Sequence, residues 1–297
     1  MTKIPFFKMC GSGNDFIIVD NRRQALREED FPGLARRICA RNMSLGADGF
    51  VVVDQSPTAD FKWHFFNSDG SRADMCGNGA RCVARFAHLN GIAGHDMTFD
   101  TGAGGIAAHV SGDRVKIRMT DPRGMESGMR IETTRGPVTL SRIDTGVPHL
   151  VVAVADVGQA NVLGLGRELR YHPAFAPAGA NVNFTAVGRD GRIFNRTYER
   201  GVEGETLACG TGSVAAALLM AGREGMASPV TVVPKSGETL TVYFERTGDR
   251  FHRVFLEGNA RIICTGELWE DAWNWSAEEG IPENAGNLNH DSGNFSQ

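Results

Sequence analysis

The sequence predicts an α/β (α+β) protein made of two similar, pseudo-symmetric domains. Each is a curved mixed β-sheet wrapped around a central helix, with the active site in the cleft between them. Three observations predict this. Short β-like runs separated by turn residues recur along the whole chain. Two cysteines, 133 positions apart, stand in matching frames, Met75-Cys76-Gly77-Asn78-Gly79 and Ala208-Cys209-Gly210-Thr211-Gly212, and an apolar helix-like run follows each. The second of these runs, 212–222, is apolar all round, with Val214, three alanines, Leu218, Leu219 and Met220. A helix of that kind is buried on every side.

In the first half the β-like runs include Phe16–Val19, Phe50–Val53, Phe61–Phe66, Met97–Thr101, Ile106–Val110 and Val115–Met119. A helix is expected over 31–42, because Phe31, Leu34, Ala35, Ile38 and Cys39 fall on one face. Asp30 is its expected N-cap and Pro32 lies in its first turn. After Cys76 the helix-like run carries Ala80, Val83, Phe86 and Leu89. The stretch 119–130 is polar and turn-rich and reads as a junction, which gives domains at 1–120 and 121–260. In the second half the runs include Val138–Ile143, His149–Val154, Val182–Val187, Ile193–Tyr198, Val230–Val233, Leu240–Phe244 and Arg253–Leu256. After Trp275 bulky apolar residues nearly vanish, and 276–297 is expected to be a disordered tail.

With 297 residues, 41% hydrophobic and 22% charged, the chain has the composition of a globular protein of about two domains. A formal net charge of −4 offers no basic excess for nucleic acid. No apolar run approaches the ~18 residues of a membrane span, and Met1–Met9 lacks the long apolar stretch of a secretory signal. A cytoplasmic protein with no membrane partner is therefore expected, with its six scattered cysteines reduced. A homodimer is left open. No Cys pair has C-x-x-C spacing, so no metal site is indicated. None of the five lysines (3, 8, 62, 116, 235) stands in a Schiff-base motif, so no cofactor is expected.

A cysteine just before a helix is expected to ionise easily, because the helix N-terminus favours negative charge. One such thiol suggests a nucleophile. A matched pair suggests a base and an acid on opposite faces of a carbon centre, as a racemase or epimerase needs. Two helix starts would also supply fixed dipoles and free N–H groups for a carboxylate. The plainer reading makes each cysteine a small buried hydrophobe. A nucleotide loop fits poorly, since Cys82 stands where the third glycine of a dinucleotide fingerprint belongs and there is no G-K-[ST]. Nearby, Arg200 could clamp a carboxylate and Glu199 an ammonium, or the two could form a surface ion pair. Asn67 lies in a segment, Phe66–Gly70, that could be merely a turn, and His149 alone could be structural.

The motifs together resemble the diaminopimelate epimerase family. They are Lys8–Phe16 (KMCGSGNDF), Phe66–Cys82 (FNSDGSRADMCGNGARC), Asp144–Leu150 (DTGVPHL), Asn181–Phe184 (NVNF) and Tyr198–Gly212 (YERGVEGETLACGTG). The resemblance implies cofactor-independent, two-base epimerisation of LL-diaminopimelate to meso-diaminopimelate in lysine and peptidoglycan synthesis. It implies Cys76 and Cys209 as the catalytic pair. Asn14, Asn67, Asn181 and Arg200 would bind substrate, with Arg200 on the distal carboxylate. Gly77, Asn78, Gly210 and Thr211 would hold the reacting carboxylate, and His149 and Glu199 would sit beside the reacting amine. It also implies a last strand, about 261–275, that returns to the first domain. Three positions depart from what family members often carry: Gly49, Val147 and Cys10. Gly49 and Val147 keep open a related cofactor-free racemase acting on another amino acid, such as histidine. A thiol redox protein is a further alternative.

Overall fold

The computed structural model describes residues 3–275; the tail expected to be disordered, 276–297, lies outside the described residues. The first half forms β1 (Ile4–Gly11), β2 (Asn14–Asp20), β3 (Gly49–Asp54), β4 (Phe61–Asn67), β5 (Asp96–Thr101), β6 (Gly104–Ser111) and β7 (Arg114–Arg118), with α1 (Phe31–Ile38) and α2 (Gly77–Leu89). The second half forms β8 (Arg123–Thr133), β9 (Gly136–Asp144), β10 (Pro148–Ala153), β11 (Asn181–Val187), β12 (Ile193–Glu199), β13 (Gly204–Thr206), β14 (Val230–Pro234), β15 (Leu240–Thr247) and β16 (Arg250–Asn259). Its helices are α3 (Val162–Arg170) and α4 (Gly210–Glu224), and β17 (Arg261–Leu268) follows.

The two halves pair their strands in one pattern. From β1 to β7 the neighbours run antiparallel, parallel, antiparallel, parallel, antiparallel, antiparallel. The series β9, β10, β11, β12, β14, β15, β16 repeats that order. The halves join where β7 pairs antiparallel with β16, with Ile117 opposite Leu256. The chain also crosses between them twice. After β7 the chain crosses to pair β8 with β9, and after β16 it crosses back to pair β17 with β1.

Each half packs one helix inside its sheet and one outside. Within α4 every residue from Gly212 to Ala221 is buried, so this helix needs apolar contacts on all sides, and strands β9 to β12 and β14 to β16 supply them. Helix α2 sits likewise against β1, β2, β6 and β7. Side chains from both inner helices and from β7 and β16 form one continuous core. Helix α1 covers the outer face of the first sheet and α3 that of the second, each with its own smaller core. No helix among the described residues is long and apolar enough to cross a membrane.

Three local expectations are corrected. Helix α1 stops at Ile38 rather than 42, because the N–H groups of Gly46 and Ala47 take the carbonyls of Ile38 and Cys39 and turn the chain away. Asp30 stands at the N-cap position but does not cap, since its carboxylate is held by Arg27. The turn-rich stretch 119–130 is largely strand β8, irregularly paired, with Gly124 and Gly128 at positive φ where the register shifts. Leu256 is fully buried at the junction of the halves. Leu256→Ala is expected to lower stability by about 3 kcal/mol in urea unfolding. A loss below about 1 kcal/mol would show that the junction is not tightly packed.

Candidate active site

Cys76 and Cys209 are the N-caps of α2 and α4. Both have extended backbones, and each thiol sulfur accepts the N–H three residues on, Gly79 at 3.5 Å and Gly212 at 3.4 Å. The Thr211 hydroxyl lies 3.5 Å from the Cys209 sulfur. The two helix starts converge over the β7–β16 junction. A side-chain carbon at Gly77 would lie 4.0 Å from Leu256 Cδ2, and one at Gly210 would lie 3.2 Å from the same atom. Asn78 ties the starts together, donating to Asn14 Oδ1 at 2.6 Å and reaching the carbonyl of Ala208 at 3.5 Å. From the second half, Thr145 donates to the Thr211 carbonyl at 3.0 Å.

The expectation of easily ionised thiols is overturned. Burial pushes both thiols above the ordinary cysteine range, and the Glu199 carboxylate adds to the rise at each. The helix N–H groups at Gly79 and Gly212 pull the other way and lose. The magnitudes explain why. A helix terminus offers up to ~2 kcal/mol, whereas removing a charge from water can move a pKa by ~3–5 units at about 1.4 kcal/mol each. Glu199 is itself raised by burial, against a hydrogen bond from Thr206 at 2.8 Å. His149 is fully buried and held down to about 3 by burial and then by the Arg200 charge, so it is neutral at pH 7.

The other expected residues divide into two groups. Asn14, Gly77, Asn78, Gly210 and Thr211 are drawn together with the cysteines at the helix starts. Asn181 lies beside His149 in the β10–β11 register and accepts the backbone N–H of Arg200 at 2.8 Å. Asn67 is exposed at the end of β4, where its amide donates to Ser71 at 3.0 Å, and it forms no hydrogen bond with either cysteine. The guanidinium of Arg200 reaches only the Ala178 carbonyl, at 3.4 Å, and forms no ion pair with Glu199 or any other described residue. At Gly49 a side-chain carbon would lie 2.5 Å from Phe65 Cε2, so the space there is already filled by an aromatic ring.

Three residues escaped the sequence reading. Arg81 is completely buried in α2 and donates to Ser12 at 2.8 Å and to Asn78 Oδ1 at 2.9 Å, fixing the Asn78 amide. Its signal was a charge at the fifth position after Cys76, where the matching position after Cys209 is Val214. Thr145, in the bend between β9 and β10, and Asn183, in β11, are also buried; both lie inside the motifs Asp144–Leu150 and Asn181–Phe184, but neither residue type marks a role by itself. All six cysteines are free, with Cys39 pushed up to about 12 by burial and Cys82 higher. Among the described residues no group of three or more His, Cys, Asp or Glu is placed to hold a metal.

Raised thiol pKa values mean that the reactive thiolate is scarce at neutral pH and grows as pH rises. Iodoacetamide labelling of Cys76 and Cys209 in the free protein, read by peptide mass spectrometry, is expected to accelerate about tenfold per pH unit up to and beyond pH 9. Glu199→Gln is expected to shift that profile to lower pH. A labelling rate that levels off below pH 8 would contradict the account.

A sequence model of the family described as diaminopimelate epimerase matches residues 6–125 and 141–263. The diaminopimelate epimerase of Aquifex aeolicus (strain VF5) is 44% identical over 282 residues, covering 90% of this chain and 98% of that protein. That of Archaeoglobus fulgidus is 43% identical over 280 residues, covering 90% and 96%. Among solved structures, a phenazine biosynthesis protein of the PhzF family from Bacillus anthracis superposes with a TM-score of 0.71 at 17% identity, covering 91% of this chain and 100% of that one. A probable proline racemase from Agrobacterium radiobacter K84 gives 0.66 at 16% identity, covering 91% and 94%. At such identities these structures attest the fold alone, a mixed α/β architecture. The sequence matches reach further, over nearly the full length of both partners: the chain belongs to the diaminopimelate epimerase family of isomerases.

Proposed function

We propose that this protein interconverts LL- and meso-diaminopimelate by proton exchange between two thiols, Cys76 and Cys209, on opposite faces of the reacting carbon. The observation that carries this reading is the convergence of two cysteine-capped helix starts on Leu256. One thiolate takes the α-hydrogen; the C–H electron pair moves onto the carbon and its carboxylate. The opposite thiol delivers its proton to the other face. The pair ends with thiol and thiolate exchanged, ready for the reverse direction.

Burial raises the thiol pKa and so makes the thiolate a stronger base, at the cost of its population. The substrate ammonium offsets that cost in this reading: it sits against Glu199, cancels its charge and lets one thiol ionise. Free N–H groups at Gly77, Asn78, Gly210 and Thr211 receive the reacting carboxylate and the charge that develops on it. Asn14, Asn67, Asn181 and Arg200 bind the substrate, with the Arg200 guanidinium on the distal carboxylate. His149 completes the wall beside Glu199. Residues 1–120 with the returning strand form one domain and 121–260 the other, a division supported by the repeated strand order. A small-molecule substrate, a cytoplasmic setting that keeps the thiols reduced, and no nucleic-acid or membrane partner belong to the same proposal.

The test is α-hydrogen exchange in D2O against a panel of amino acids, without added pyridoxal phosphate or metal. Exchange and inversion of diaminopimelate are expected, and Cys76→Ser and Cys209→Ser are each expected to lower two-way epimerisation at least about 1,000-fold. Exchange with histidine or another amino acid in place of diaminopimelate would move the assignment to a sister racemase. Activity that requires a reversible Cys76–Cys209 disulfide, or that survives in both variants, would refute the two-base reading.

A further inference from the structure

Behind His149 runs a buried polar chain that the fold does not require. Asn183 donates its amide to the Leu150 carbonyl at 3.0 Å and faces His149 Nδ1 at 3.1 Å with the same nitrogen. Its oxygen accepts from Thr197 at 2.8 Å and from Asn195 at 3.5 Å, and Asn195 in turn accepts from Thr185 at 3.0 Å. All five side chains are buried. The matching positions of the first half carry no such chain. There Phe16 stands for His149 and Val51 for Asn183, in the same parallel register between neighbouring strands. One sheet thus folds with an apolar pair where the other buries an imidazole and an amide. Burying polar groups is costly unless every one is bonded, so the second arrangement calls for a reason beyond folding.

The Leu150 carbonyl decides which way the Asn183 amide points. A carbonyl only accepts, so the atom facing it is the nitrogen, and that nitrogen also faces His149 Nδ1. Nδ1 must then be the accepting, unprotonated nitrogen, and in the neutral ring the proton lies on Nε2. His149 Nε2 is buried and has no partner among the described residues.

From this geometry we infer that Asn183 is a positioning residue that locks His149 as a neutral imidazole with its proton on Nε2, held as a hydrogen-bond donor for an anionic acceptor in the cleft. This deepens the proposed function and rests on it for the nature of the cleft. An Nε2–H donor does not suit an ammonium, which is itself a donor. It suits the reacting carboxylate or a cysteine thiolate. Asn183 is also placed to hold the second helix start, because a side-chain carbon at Gly212 would collide with its oxygen while lying 3.3 Å from the Cys209 sulfur.

The test is 15N NMR of the full-length protein labelled at histidine. In the wild type His149 is expected to show an acceptor-type Nδ1 and a protonated Nε2, unchanged between pH 5 and 9. Substrate is expected to move the Nε2–H signal if the acceptor is its carboxylate; raising the pH above 9 without substrate is expected to move it if the acceptor is a thiolate. The near-isosteric Asn183→Asp places an acceptor against Nδ1 and is expected to transfer the proton there. It is expected to lower kcat roughly 100-fold, as for the loss of one preorganised donor, with KM changing far less. A proton on Nδ1 in the wild type, titration of His149 between pH 5 and 8, or an Asn183→Asp protein with unchanged tautomer and kcat would overturn the inference. The wild-type spectrum reads the tautomer whether or not diaminopimelate is epimerised. Absence of α-hydrogen exchange in the wild type would count against the proposed reaction alone.

Discussion

Two helix N-termini are buried at one place, and much of this structure answers that constraint. Each brings free N–H groups and a partial positive charge into a space walled by apolar side chains. Each is met first by a cysteine sulfur, at 3.5 and 3.4 Å. The β7–β16 pair and Leu256 hold the two starts together from below. The chain crosses between the halves twice, once into β8 and once back into β17, and β17 fastens the end of the chain to β1 of the first half. What remains free at the helix starts is a set of donors suited to an anion. Burial strengthens those donors and, for the same reason, suppresses ionisation of the thiols beside them.

The halves share a fold and differ in chemistry. The first surrounds its cysteine with Phe16, Trp63 and Phe65, whereas the second sets His149, Asn183, Thr197 and Glu199 behind or beside its own. The first instead buries a cation, Arg81, whose bonds run to Ser12 and Asn78. A duplicated scaffold thus places two thiols with near symmetry, while the polar groups around them are divided unequally. A substrate with one ammonium and one carboxylate at its reacting carbon suits such a site: its two faces differ only by a hydrogen and call for like thiols, whereas its ammonium and carboxylate are unlike and call for an unequal surround.

What could be read in the sequence followed from local rules. The cysteines as N-caps and the all-apolar helix behind Cys209 were legible because capping and periodicity need only a few neighbouring residues. Most strands were legible from their β-branched and aromatic runs. Strand β8 was not, because it is polar and almost wholly exposed. Helix α3 was hidden by Gly164 and Gly166, the latter kept small by Tyr198 packed against it. Arg81 and Asn183 gain their meaning from partners distant in the chain, Ser12 for one and His149 for the other. The direction of the thiol shifts was read wrongly for the same reason. A helix start is visible in sequence, and the burial that outweighs it is a property of the assembled fold.

The central claim is that two thiols act from opposite faces of one carbon. It is tested most directly by the fate of hydrogen during early turnover of LL-diaminopimelate in D2O. The account predicts that the first meso product carries solvent deuterium at the inverted centre, while the remaining LL substrate carries almost none. A product that retains the original hydrogen at that centre would show one group working on both faces, and would contradict it.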